Sequence, residues 1–425
     1  MKRGFYTIMS AQFFSSLADN AMFIAAIELL RTSGAPEWQR AALVPMFALF
    51  YVILAPFVGA FADALPKGRV MFISNAIKII GCLLMLFGTH PLLAYAVVGL
   101  GAAAYSPAKY GILTELLPAS QLVKANGWIE GLTIASIILG LLLGGQLIAP
   151  TLSSHLLAID VSFFDTGIDT PPEAAILVLV FVFLLAAWFN TRIPHTGVEM
   201  RPLPRNPLAL LPDFWTCNSR LWRDRLGQIS LGTTTLFWGA GGNLKYIVLA
   251  WAAVALHYNT TQASSLTGVV AVGTAVGAVV ASMRMRLDQA TRVIPLGIAM
   301  GLLLVAMIFI HNIWIAVPFL ILLGGLGGFL VVPMNALLQH RGHNLMGSGR
   351  SIAVQNFNEQ AAILGLGAFY SLSLKLGLSV YGAIVAFGLV VAGVMWVMRR
   401  WHQRNADIHR EEIEHLLSIA RKDVH

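Results

Sequence analysis

Residues 99–130 read GLGAAAYSPAKYGILTELLPASQLVKANGWIE. The stretch opens as an apolar run of the sort that crosses a bilayer as helix, which takes about 20 residues. Within that run sits Lys109, just past Pro107, and Glu115 and Lys124 follow before a second apolar run begins. A lysine inside a spanning helix is costly, by roughly 3 kcal/mol on insertion scales. Such a residue is kept for function or for pairing, so the few intramembrane charges are where function is sought.

Outward from this stretch the pattern repeats. The 425 residues are 57% hydrophobic and 11% charged, whereas a soluble domain carries about a quarter charged residues. The surplus of apolar residues arrives in runs of spanning length, at 6–30, 42–64, 70–88, 92–114, 125–149, 173–190, 231–256, 264–283, 293–311, 313–337, 351–373 and 377–398. These are 12 expected spans of a polytopic membrane protein. The first run, interrupted by Asp19 and Asn20 and continuing to Leu30, lacks the short apolar core and small-residue cleavage site of a signal peptide and reads as a retained helix.

With the N-terminus placed inside, 22 Lys and Arg fall in inner loops and tails and 3 (Arg31, Arg40 and Lys375) in outer loops. The positive-inside rule then puts both termini in the cytoplasm. The formal charge of +8 is therefore a topology signal, and no nucleic-acid partner is expected. Cys82 lies in an apolar run and Cys217 in a basic loop, so a disulfide is not expected. Metal-ligand spacing is absent, and neither a metal nor a cofactor is expected.

The 12 spans divide into two sets of six. The loop between them, with Pro194, Pro202, Pro204, Pro207 and Pro212, contains LPDFWTCNSRLWRDRL, which reads as an amphipathic helix lying on the inner surface. The expected organisation is a first six-helix bundle over 1–190, a cytoplasmic linker over 191–230, a second bundle over 231–398 and a cytoplasmic tail over 399–425. Within the tail, IHREEIEHLLSIARK reads as an amphipathic helix, either solvated or a docking segment. The loop near 150–172 carries Asp160, Asp165 and Asp169 without Lys or Arg, which suits the outer face.

A faint repeat links the halves at an offset of 226: Gly99 with Gly325, Pro107 with Pro333, Lys124 with Arg350, and Asp19 with Lys245. Parallel halves of six helices are the architecture of major facilitator transporters. The fold expected is thus an all-α membrane protein with two pseudo-symmetric six-helix bundles. GAFADALPKGRVM, from Gly59 to Met71, resembles the glycine–aspartate–basic loop motif of that superfamily, one residue longer than its usual form. It reads as a gate, in which Gly59 permits close helix packing while Asp63 and Arg69 pair with charges or helix ends of the other half.

Polar residues inside the spans form patterns. Gln12, Ser15, Ser16 and Asp19 are spaced i, i+3, i+4, i+7, one stripe on an otherwise apolar helix. Lys245 lies at similar depth in the seventh span. Gln355, Asn356, Asn358 and Glu359 crowd about one turn of the eleventh; Asn335 and Gln339 sit one turn apart in the tenth; Tyr105 precedes Lys109 by one turn. The functional reading is a polar binding site offering both signs of charge. The alternative is structural ion pairing, the favoured reading for Lys78. Glu28 and Glu130, near span ends, are expected to snorkel. His155 and Asp160 have the H-x-x-x-x-D spacing of glycerolipid acyltransferases, but on the presumed outer loop and without a companion motif, so no enzyme is expected.

LADNAMF, APFVGAFADALPKGRVM, GAAAYSPAKYGILTEL, LVKANG, LFWGAGGNLK, GGFLVVPMNALLQ and AVQNFNEQ together resemble the bacterial lysophospholipid transporters (LplT) of the major facilitator superfamily, in the same order and over nearly the whole chain. Where an arginine is expected for that family in the seventh span, this chain has Lys245, which keeps the charge and loses bidentate phosphate binding. The resemblance implies a monomeric inner-membrane protein that flips lysophosphatidylethanolamine and lysophosphatidylglycerol from the outer to the inner leaflet. A cytosolic-side acyltransferase/acyl-carrier-protein synthetase would then reacylate them. It implies that Asp19, Lys109, Lys245 and Glu359 contact the headgroup; Asn20, Tyr105, Asn335 and Gln355 complete the expected site. The alternative is a proton-coupled exporter of amphipathic drugs or a small-metabolite carrier on the same fold.

Overall fold

The computed structural model describes residues 3–116, 119–159, 167–197, 200, 202–346 and 348–422. Lys2, Asp160, Asp165 and Arg201 lie outside the described residues, as do the side chains of Lys124 and Glu130. The elements are helices: α1 (Arg3–Thr32), α2 (Glu37–Ala64), α3 (Lys67–Leu86), α4 (Pro91–Leu116), α5 (Ala119–Ile148), α6 (Pro150–Leu157), α7 (Pro171–Thr191), α8 (Leu210–Arg223), α9 (Gly227–Ala255), α10 (Thr260–Arg284), α11 (Ile294–Ala306), α12 (Ile313–Met346), α13 (Ser348–Lys375), α14 (Val380–Ile408) and α15 (Arg410–Lys422). Each of the 12 apolar stretches falls on one of these helices. Among the described residues, ten helices are long and apolar enough to cross a membrane. The two longer helices outside that set, α9 and α13, are the ones that carry Lys245 and the Gln355–Glu359 cluster.

Packing divides the chain into two compact units. Unit 1 is Met1–Pro207 with Tyr258–Gly268; unit 2 is Leu208–His257 with Val269–His425. The boundary falls inside the 191–230 loop, so that α8 packs with unit 2 while the residues before it pack with unit 1. The first turns of α10 also belong to unit 1, where Thr261 Oγ1 donates to the Gly145 carbonyl (2.9 Å).

Local sequence explains the helix ends. The Glu173 carboxylate accepts from the backbone N–H groups of Thr170 and Asp169 (2.9 Å each), satisfying donors that a helix start leaves open. Gly88, at φ +83°, closes α3 in a left-handed conformation that residues with a Cβ avoid.

The 226-residue offset has a packing counterpart. In unit 1, Gly99 of α4 lies directly on the Phe47 backbone of α2, leaving no room for a methyl group; in unit 2, a Cβ on the corresponding Gly325 of α12 would stand 3.6 Å from the Gly273 carbonyl oxygen of α10, a looser approach of the same pair. Phe47 and Gly273 are themselves 226 positions apart. The same helix pair is therefore brought together at the same position in both units. Gly59 has no such role. A Cβ there would meet nothing within 4 Å, so the close packing expected of it is carried instead by Gly99, and by Gly81 and Gly101 between α3 and α4.

Candidate functional site

In unit 1 the polar stripe of α1 turns toward α3 and α5. Asp19 Oδ2 accepts from Lys78 Nζ at 2.7 Å. Lys78 also donates to Ser15 Oγ (3.0 Å) and lies over the rings of Tyr105 (5.0 Å) and Phe183 (5.6 Å). From there a chain of hydrogen bonds runs on: Ser15 Oγ to Asn75 Oδ1 (2.7 Å), and Asn75 Nδ2 to Asn190 Oδ1 (2.7 Å). On the other side of the stripe, Ser136 Oγ of α5 donates to Ser16 Oγ (2.8 Å). Lys78 is 1% exposed and Asp19 20%, so Asp19 is the open end of the pair. Asn20 turns back on its own helix, donating to the Ser16 carbonyl (2.8 Å).

Lys109 is buried and donates to Thr133 Oγ1 of α5 (3.2 Å). Tyr105, one turn earlier, is also buried, but it stacks beneath Lys78 and packs with Phe5, Ile8, Met71 and Ala108 in the apolar core. The two residues thus serve different neighbourhoods, although helical spacing had placed them together.

The loop between α2 and α3 gathers charges within unit 1. Lys67 is the partner of Asp63 (2.8 Å), and it reaches Glu115 (3.4 Å) and the Ala62 carbonyl (2.7 Å) as well. Thr196 Oγ1 donates to Glu115 (2.8 Å). Lys67 is buried beneath the exposed Asp63, and Arg69 is exposed. A cavity of about 330 Å³ opens here, lined by Asp63, Lys67, Arg69, Glu115, Asn190 and His195 among others. Asn190 thus both lines this cavity and ends the hydrogen-bonded chain that begins at Asp19.

Glu28 does not snorkel. It is 8% exposed, chelated by Arg31 (2.9 and 2.5 Å) and bonded by Thr260 Oγ1 of α10 (2.7 Å) within unit 1. His155 bonds the Thr151 carbonyl of its own helix (2.6 Å), a local contact with no catalytic geometry.

In unit 2, Gln355 joins two helices: its Nε2 donates to Asn335 Oδ1 of α12 (2.5 Å) and to Glu359 Oε1 of α13 (2.7 Å). Three expected site residues therefore form one network. Asn358 leaves it for α8, accepting from Trp222 Nε1 (3.1 Å) and donating to Asn218 Oδ1 (2.8 Å). Lys245 is half-buried on α9. Nearby Asn243 ties that helix to α13 through the Ile363 carbonyl (3.1 Å).

Part of the apolar face of α8 packs on protein, while Trp215 stays 48% exposed. Phe214, Cys217, Asn218 and Leu221 are buried, and Phe214 and Trp215 meet Phe357 edge-on at 5.3 and 5.4 Å. Phe357 and Asn358 of α13 supply the surface that the buried side of α8 covers. Both cysteines are buried and free. Burial, and next the Asp213 carboxylate, push the Cys217 thiol up.

A family model described as the Major Facilitator Superfamily matches residues 8–365. The chain is 39% identical over 381 residues, 89% of each chain, to the lysophospholipid transporter LplT of Yersinia enterocolitica. The match to the LplT of Yersinia pestis (strain Pestoides F) is also 39%, over 378 residues. This chain belongs to the LplT family of the major facilitator superfamily. Solved structures agree on the fold. A bacterial homologue of the human lysosomal transporter Spinster, inward-facing and unoccupied, superposes with a TM-score of 0.68 at 15% identity, covering 95% of this chain and 99% of that one. A variant of the nucleoside transporter NupG gives 0.68 at 12%, with the same coverage. Membership makes the chain a multi-pass membrane protein whose named relatives are transporters.

In this LplT-family chain Lys67 emerges only from the structure, while Lys78, expected to form a structural ion pair, gains its partner there. Lys78 had a visible signal, an unbalanced charge in an apolar span, but nothing in its spacing pointed to Asp19. Lys67 looked like an ordinary positive-inside residue of a loop.

Proposed function

We propose that this protein moves lysophospholipids across the bacterial inner membrane. The observation that carries the reading is LplT-family membership along 89% of the chain. Polar networks within apolar helices, Asp19–Lys78–Ser15–Asn75 in unit 1 and Asn335–Gln355–Glu359 in unit 2, supply the chemistry it needs.

The headgroup of lysophosphatidylethanolamine offers a phosphate and an ammonium. Lysines bind the first and carboxylates the second through charge-assisted hydrogen bonds. In this reading Lys109 and Lys245 take the phosphate, while Asp19 and Glu359 take the ammonium or the glycerol hydroxyls; Asn20, Asn335 and Gln355 add neutral hydrogen bonds. Exposing a tail of about 16 carbons to water would cost more than 10 kcal/mol at about 0.8 kcal/mol per CH₂. The reading therefore requires a lateral path to lipid, so that the tail stays in hydrocarbon while the head crosses.

The 12 spans act as two six-helix bundles in alternating access, with both termini in the cytoplasm. The Lys67–Asp63–Glu115 cluster and Arg69 form the inner gate. Transport runs from the outer to the inner leaflet, and a cytosolic-side acyltransferase consumes the product. Reconstituted protein should flip labelled lysophosphatidylethanolamine and lysophosphatidylglycerol in proteoliposomes, and Lys245→Ala or Glu359→Ala should reduce the rate to that of empty vesicles. Transport of amphipathic drugs driven by a pH gradient, without lysolipid preference, would replace this reading with a proton-coupled exporter.

A further inference from the structure

Lys78 is the most deeply buried cation of unit 1 among the described residues, at 1% exposed, and the transport reading gives it no contact with the substrate. Its stem is trapped: a Cβ at Gly101 of α4 would come within 2.6 Å of Lys78 Cγ. Its head is fixed by Asp19 Oδ2 (2.7 Å) and Ser15 Oγ (3.0 Å) and by the faces of Tyr105 and Phe183. Such a lysine cannot swing out to meet a substrate. A headgroup arriving at Asp19 reaches the carboxylate, with the ammonium of Lys78 immediately behind it.

That order has an electrostatic consequence. In a low-dielectric site an isolated carboxylate attracts cations and repels phosphate strongly, because charge–charge energies there are several times those in water. A carboxylate backed by an ammonium at 2.7 Å presents a dipole in place of a net charge. It still accepts a hydrogen bond from an ammonium or a hydroxyl, but it no longer repels an anionic head.

We propose that Lys78 sets the headgroup-charge tolerance of the transporter: by neutralising Asp19 from behind, it lets one site accept both zwitterionic and anionic lysophospholipids. Lys78 is in this sense a positioning residue that determines specificity without touching the substrate. The inference rests on the reading of Asp19 as a headgroup contact.

The test is the ratio of apparent affinities for lysophosphatidylglycerol and lysophosphatidylethanolamine, read by displacement of a fluorescent lysolipid from the purified full-length chain in detergent. Lys78→Met should lower the ratio on the order of tenfold by exposing the head to a carboxylate that has lost its ammonium. Lys78→Arg, which keeps the charge, should hold it within about twofold of wild type. Asp19→Asn should raise it on the order of tenfold, and the Asp19→Asn/Lys78→Met double variant should return it close to the wild-type value. A structural role would lower both affinities together and leave the ratio unchanged, and that result overturns the proposal. Where Lys78→Met does not fold, the isosteric Asp19→Asn carries the test, and an unmoved ratio in it is equally decisive. Wild-type protein that binds neither lysolipid overturns the transport reading along with this one; wild-type binding with unmoved ratios overturns this one alone.

Discussion

Asp19 in unit 1 is held by a cation, Lys78, whereas Glu359 in unit 2 is held by an amide, Gln355. Glu359 is the more buried of the two, at 8% exposed against 20% for Asp19, and the partners seen on them differ in kind. An ion pair in an apolar setting is all or nothing, since removing one partner leaves a charge in low dielectric. An amide network degrades gradually, because each neutral partner contributes about 1 kcal/mol, and one bonded to a charge about 1.5–3 kcal/mol. The contrast belongs to the two acids and not to the units as wholes, since unit 2 has a buried ion pair of its own between Arg341 and Asp224.

The largest effect should come from breaking the pair. Lys78→Met is expected to remove about 3–5 kcal/mol of stability, seen as a lower unfolding midpoint in detergent, with most of it regained in the Asp19→Asn/Lys78→Met variant. A single variant as stable as wild type would erase the contrast between the two acids. Next is Gln355→Ala, expected to cost about 1.5–3 kcal/mol in the same measurement; a loss as large as that of Lys78→Met would show that the amide holds Glu359 as firmly as the ion pair holds Asp19.

Asn358→Ala should cost about 1–2 kcal/mol through two lost hydrogen bonds to α8, and it has a second readout. Because burial and Asp213 hold the Cys217 thiol above its ordinary value, little thiolate is present at neutral pH. Maleimide labelling of Cys217 should be slow and should quicken as the pH rises. Loosening α8 in Asn358→Ala should speed it several-fold at pH 7, mapped by peptide mass spectrometry. The smallest effect is expected at Gly59→Ala. The position is open and lies within a helix, so alanine should stabilise by up to about 1 kcal/mol, while a measured loss would restore the packing role first expected of it.

Much of the architecture was legible because water and lipid impose it. Runs of about 20 apolar residues have few alternatives to spanning helix, and the 12 stretches do fall on helices. The i, i+3, i+4, i+7 stripe of α1 correctly put Gln12, Ser15, Ser16 and Asp19 on one face, because helical period is local. The network of Asn335, Gln355 and Glu359 was also foreseeable as a set, since unsolvated polar groups seek one another. Glu28 was misread for the opposite reason: position near a span end says nothing about a threonine 232 residues away.

Apolar length and charge asymmetry alone mark this chain as a multi-pass membrane protein and single out its rare intramembrane charges. Which charge meets which was decided by tertiary structure. Asp19 and Lys78 are 59 positions apart, and Asn218 and Asn358 140; no helical period reaches across such separations. Periodicity names the face of a helix, but only packing against α3, α8 or α13 supplies what that face touches, and in a low-dielectric interior the neighbour decides whether a carboxylate acts as a charge or as half of a dipole.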